Sequence, residues 1–128
     1  MTKRRSVNGS RARHENPIPN ASRIGNIVMS SVIGGANPGT RDLPATLEAQ
    51  VANVFGYIRH DVEAAGGTVD DIIKITFYVK DPVTQRAALN GEWVKAFPDP
   101  EARPARHTLT LPPESRALVQ ADFMAVLG

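Results

Sequence analysis

A chain of 128 residues, 41% apolar and 22% charged, fits one soluble globular domain. It has no cysteine, which removes disulfides, thiolate nucleophiles and cysteine-held zinc from consideration. No apolar run approaches the ~20 residues of a membrane span and none follows the N-terminal charges, so the default compartment is the cytoplasm. The net charge of +2 hides an asymmetry. Residues 1–15 hold Lys3, Arg4, Arg5, Arg11 and Arg13 against Glu15 alone, a net of +4, while the rest carries ten basic and twelve acidic residues. The first fifteen residues, with almost nothing apolar to pack, read as a disordered basic leader. The body from residue 16 to 128 reads as one domain.

Asn16-Pro17-Ile18-Pro19-Asn20 is an extended lead-in. Arg23-Ile24-Gly25-Asn26 predicts a hairpin turn between two short strands, because Gly-Asn tolerates positive φ. Ile27 to Ile33 is a β-branched run that reads as buried on both faces, and Gly34-Gly35 ends it. Over 45–65, Leu47, Val51, Val54, Phe55, Ile58, Val62 and Ala65 make one apolar stripe at helical period, with Gln50 and Asp61 among the polar residues opposite. Gly66-Gly67 stops that helix.

Asp71 to Lys80 predicts a strand with Ile73, Ile75, Phe77 and Val79 on one face. Asp81-Pro82 opens a second helix, whose ridge is Ala88, Leu89, Trp93 and Phe97. Prolines 98, 100 and 104 then fix a stiff loop, a strand starts at His107, and Leu118 to Leu127 alternates as the last strand. The order is β-β-α-β-α-β-β, an α+β fold with two helices against one mixed sheet. The uncovered face carries Tyr78, Leu118, Met124 and Val126, too apolar to leave in water, so several copies are expected to pair their sheets around a symmetry axis.

Arg106 stands where the proline loop enters a strand. That position suits a guanidinium held at a fixed angle for a carboxylate or phosphate. His14, His60 and His107 have no metal-ligand spacing, and nothing predicts a cofactor. Ser30 and Ser31 lack the surroundings of a nucleophile.

In this order the motifs resemble the RidA/YjgF family of enamine and imine deaminases. They are Asn16-Pro17 with Gly25-Asn26, Ser30-Ser31, the run from Ala64 to Thr76, Tyr78-Val79-Lys80-Asp81, Asn90, and Pro104-Ala105-Arg106. The resemblance implies a chorismate-mutase-like fold of the Bacillus type, a homotrimer with clefts between subunits, and hydrolysis of a small imine to a 2-oxo acid and ammonia. It makes Arg106 the carboxylate clamp, and it places His107, Thr108, Ser31, Val32, Asn90 and Ile18 in the pocket. Four positions depart from the family pattern. Ile18 replaces a tyrosine, Val32 a glycine and His107 a small residue. Gln120 stands where a glutamate places water; it can hold a water but cannot take its proton, and Asp122 is the nearest carboxylate on the same side. Two other classes stay open: a regulatory trimer that binds a carboxylate without turnover, and an endoribonuclease. An acidic body with 5% aromatic residues argues against a nucleic-acid groove.

Overall fold

Alternating and helical patterns in the sequence build one mixed sheet and two helices in the computed structural model, which describes residues 3–9, 11–12 and 14–128. The strands are β1 (Arg4–Val7), β2 (Ala21–Ile24), β3 (Ile27–Ser30), β4 (Ile33–Gly34), β5 (Ile72–Val79), β6 (Ala105–Thr110) and β7 (Val119–Val126). They lie in the order β1-β2-β3-β7-β5-β6, with β4 also beside β7. Among the described residues only β5 and β6 run parallel, and the crossover such a pair requires is the second helix, α2 (Pro82–Ala96). The first helix, α1 (Leu47–Ala64), packs on β4 and β7, and α2 packs on β5 and β6. The core between helices and sheet holds Val51, Val54, Ile58, Ile75, Phe77, Val119 and Ala121, all fully buried. Among the described residues no helix is long and apolar enough to cross a membrane.

Local chemistry sets the element ends. Thr46 caps α1 by accepting from the Ala49 N–H at 3.2 Å. The helix stops where Gly66 takes φ +99° and the Arg23 guanidinium donates to the Ala65 carbonyl at 2.6 Å. Gly25, at φ +57°, makes the β2–β3 turn as its sequence predicts. The Lys80 ammonium gathers the carbonyls of Pro112, Pro113 and Ser115, which pins the turn before β7.

Four expectations change. The supposed disordered leader contains β1, whose Arg4–Val7 pairs antiparallel with Ala21–Ile24; backbone bonds to an open sheet edge and the burial of Val7 compensate for its poor apolar content. Arg13 lies outside the described residues. The Ile27–Ile33 run is buried on one face only, since among the described residues nothing covers Ile27 and Met29, the latter 56% exposed. A bulge between Ile72 and Lys74 turns Ile73 outward and puts Ile72 in the core. Gln50 and Asp61, placed on the polar side of α1, are both buried. The Gln50 amide bridges the Pro44 carbonyl at 2.7 Å and the Leu118 N–H at 3.0 Å, so its burial is paired.

Candidate functional site

The loop after α2 is ordered by its own polar groups. Asp99 accepts from the Glu101 N–H through its side chain and from the Ala102 N–H through its carbonyl, and Arg103 donates to the Phe97 carbonyl at 2.8 Å. The chain then enters β6 at Ala105, two residues earlier than the strand expected from His107. Arg106 stands in register with Ile75, so its side chain leaves the sheet on the helix side. Its Nη1 donates to Asn90 Oδ1 at 2.9 Å and its Nε to Thr108 Oγ1 at 3.1 Å. The guanidinium carbon lies 5.1 Å from the Trp93 ring centre and 5.7 Å from that of Phe77. Every one of these partners is neutral. Burial, and after it the nearby charge of Arg86, pulls the Arg106 pKa below its ordinary value, although a guanidinium still keeps its proton at neutral pH. A recess of about 220 Å3 beside it is lined by Pro82, Val83, Arg86, Arg106 and Thr108.

Of the predicted residues, the structure brings Arg106, Asn90 and Thr108 together. It does not bring His107, Gln120 or Asp122 to them. His107, Thr76 and Asp122 form one cross-strand row, and Tyr78 and Gln120 share the next, all on the face of the sheet away from the helices. Gln120 and Asp122 do share a side, as the alternation predicts. Burial raises the Asp122 pKa, with Lys74 opposing it.

A third group gathers near the end of β3. The Ser31 hydroxyl donates to the Pro19 carbonyl at 2.7 Å, which pins the lead-in that carries the exposed Ile18. Ser31 and Val32 line a recess of about 260 Å3 together with Arg11, Asn20 and Tyr57. β3 and β6 are three strand spacings apart, about 14 Å at the usual spacing. Within one chain, then, the Ser31 group and the Arg106 group do not meet.

Sequence reasoning missed the pair that holds the Ser31 group in place. Arg11 donates through Nε to Asp61 Oδ2 at 3.0 Å, pairs its Nη2 charge with the same oxygen at 2.9 Å, and donates to the carbonyls of Val32 at 2.9 Å and Asn20 at 3.0 Å. The Asp61 side chain is fully buried, and burial raises its pKa against the pull of Arg11. The strap approaches closely: a Cβ on Gly9 would lie 2.5 Å from Asp61 Oδ1. The one available signal was spacing. Asp61 lies three residues after Ile58 and seven after Val54, at the edge of the apolar stripe.

The comparisons with known proteins fit this architecture. The family model described as endoribonuclease L-PSP matches residues 10–123. The chain belongs to that family, the RidA/YjgF family. A RutC family protein of Haemophilus influenzae is 36% identical over 81 residues, 63% of this chain and 62% of the relative. A protein of Escherichia coli named 2-iminobutanoate/2-iminopropanoate deaminase is 36% identical over 84 residues, 65% of each chain. The match thus spans somewhat under two thirds of these RidA/YjgF relatives. The crystal structure of the E. coli YjgF gene product superposes with a TM-score of 0.83 at 27% identity, covering 95% of this chain and 98% of that one.

Proposed function

We propose that the chain hydrolyses a small 2-imino acid to a 2-oxo acid and ammonia, in clefts between copies assembled as a homotrimer of the chorismate-mutase type. The observation that carries this reading is Arg106, a half-buried cation held at a fixed angle by neutral groups. Asn90 and Thr108 occupy two of its five N–H donors and leave the others for a carboxylate. Holding the carboxylate fixes the adjacent imine carbon. Water oxygen then adds to that carbon, the C=N electron pair moves to nitrogen, and nitrogen takes a proton. The hydroxyl proton then passes to the amine nitrogen, the O–H electron pair forms the carbonyl, and the C–N bond breaks to release ammonia. Among the described residues β6 is paired on one side, with β5, so backbone groups beside Arg106 face outward where the amine and hydroxyl would sit. A neighbouring copy would supply Ser31, Val32 and Ile18, with Gln120 or Asp122 placing the water. Support for association comes from the open face, where Ile24, Ile27, Met29 and Leu109 are exposed. Light scattering of Met29→Lys checks it: the native chain is expected at three times the monomer mass and the variant at the monomer mass.

A regulatory trimer that binds the acid without turnover is the second reading. It is favoured by Gln120 at the water-placing position and by a recess at Arg106 with no acidic lining residue. The nuclease activity in the family's description has one feature behind it, the basic group of Lys3, Arg5 and Arg23 on the β1–β2 edge. Ammonia release from freshly generated 2-iminobutanoate separates the first two readings. The deaminase reading expects acceleration that Arg106→Ala cuts by about 10²–10³-fold, the usual loss for one charge-stabilising donor group. No acceleration, together with saturable binding of 2-oxobutyrate, would leave the regulatory reading. Turnover gained in Gln120→Glu would then trace the silence to that side chain.

A further inference from the structure

We propose that the acid held at Arg106 carries a second carboxylate at its far end and that Arg86 receives it. The proposal rests on the reading of Arg106 as the carboxylate clamp and names the substrate class of that site.

Arg86 and Asn90 are four residues apart on α2, so they share one face of the helix one turn apart. Asn90 is the residue that holds Arg106, and both arginines line the same recess. Among the described residues neither has an ion-pair partner. Arg86 makes a long contact from Nε to the Val83 carbonyl, at 3.4 Å. Asp81, at the start of the same helix, is occupied: it caps α2 by accepting from the Val83 N–H at 3.0 Å. Two like charges facing one cavity repel each other, and the effect reaches Arg106 as a lowered affinity for its proton. That cost disappears when a dianion fills the space. Pro82 and Val83 give the recess an apolar wall, which suits the methylene spacer between two carboxylates. At about 220 Å3 the space lies below the range of about 300–1,000 Å3 that drug-sized ligands occupy, so it takes a short diacid. Guanidinium groups at both ends give each carboxylate paired donors.

Calorimetric titration of the full-length chain with 2-oxobutyrate and 2-oxoglutarate, at matched ionic strength, tests the proposal. These probes share the 2-oxo acid end and differ in the second carboxylate. The diacid is expected to bind about ten- to a hundredfold more tightly, the factor a charge-assisted hydrogen bond supplies. Arg86→Gln is expected to erase that margin and Arg86→Lys to keep part of it, with unchanged thermal unfolding, since Arg86 is exposed. Equal affinity for the two acids in the native chain, or a margin that survives Arg86→Gln, overturns the second-carboxylate proposal and leaves the Arg106 reading standing. Failure of the native chain to bind either acid overturns both.

Discussion

Arg11 and Arg106 are both drawn in from solvent, yet their surroundings are opposite in kind. Arg11 meets a buried carboxylate and two carbonyls, so its charge is neutralised inside the fold. Arg106 meets an amide, a hydroxyl and two aromatic rings, none of which cancels its charge. The first arginine is committed to structure: it ties the lead-in and the Val32 segment to α1. The second is held as firmly but, among the described residues, meets no counter-charge, which is what the proposed clamp requires. Burial alone therefore does not separate a structural cation from a binding one. The charge of the partners does.

The largest effect that can break this contrast is on stability. Asp61→Ala leaves the Arg11 guanidinium buried beside two carbonyls with no counter-charge, and breaking a buried pair in this way costs about 3–5 kcal/mol. Urea denaturation should show that loss. Arg106→Ala should lower stability by only about 1 kcal/mol, the scale of its contacts with Trp93 and Phe77. Comparable losses in the two variants would remove the distinction. A smaller effect sharpens it from the side of binding: Arg106→Lys keeps a charge but not the planar fork, so affinity for 2-oxobutyrate should fall by about tenfold, intermediate between native and Arg106→Ala.

The smallest expected effect is on pH. Burial raises the Asp61 pKa, so the folded chain holds that proton more tightly than the unfolded chain. The stability this provides is complete below the unfolded value of about 3.9 and is lost as pH rises through the folded value. The difference in unfolding free energy between the native chain and Asp61→Asn should therefore fall as pH rises above about 4. A difference that rises over that range would mean that the pull of Arg11 outweighs burial.

How much of this could be read in the sequence follows from how local each feature is. The stripe of α1, the alternation of β7 and the Gly25 turn depend on near neighbours in the chain, and each is legible. The resemblance to RidA/YjgF proteins pointed to Arg106 and Asn90. The face that Arg106 takes was not legible, because the register of β6 against β5 decides it: Ile75 draws Arg106 to the helix side and leaves His107 on the open face. The same holds for Ile73, whose outward turn comes from a bulge set by pairing with β7. Asp61 looked like a solvated helix residue because its partner lies fifty positions away, in a segment that composition alone assigned to solvent. β1 was hidden for the same reason: a strand that is exposed along most of its length shows little apolar pattern.

On the proposed reading Arg106, and not Arg11, keeps its charge for an anionic ligand. Both Nε–H groups can be followed by 15N–1H correlation NMR of the native chain while 2-oxobutyrate is added. A saturable shift of the Arg106 signal is expected, with the Arg11 signal unmoved. An Arg106 signal that stays in place while the acid binds, or equal shifts at both arginines, would contradict it.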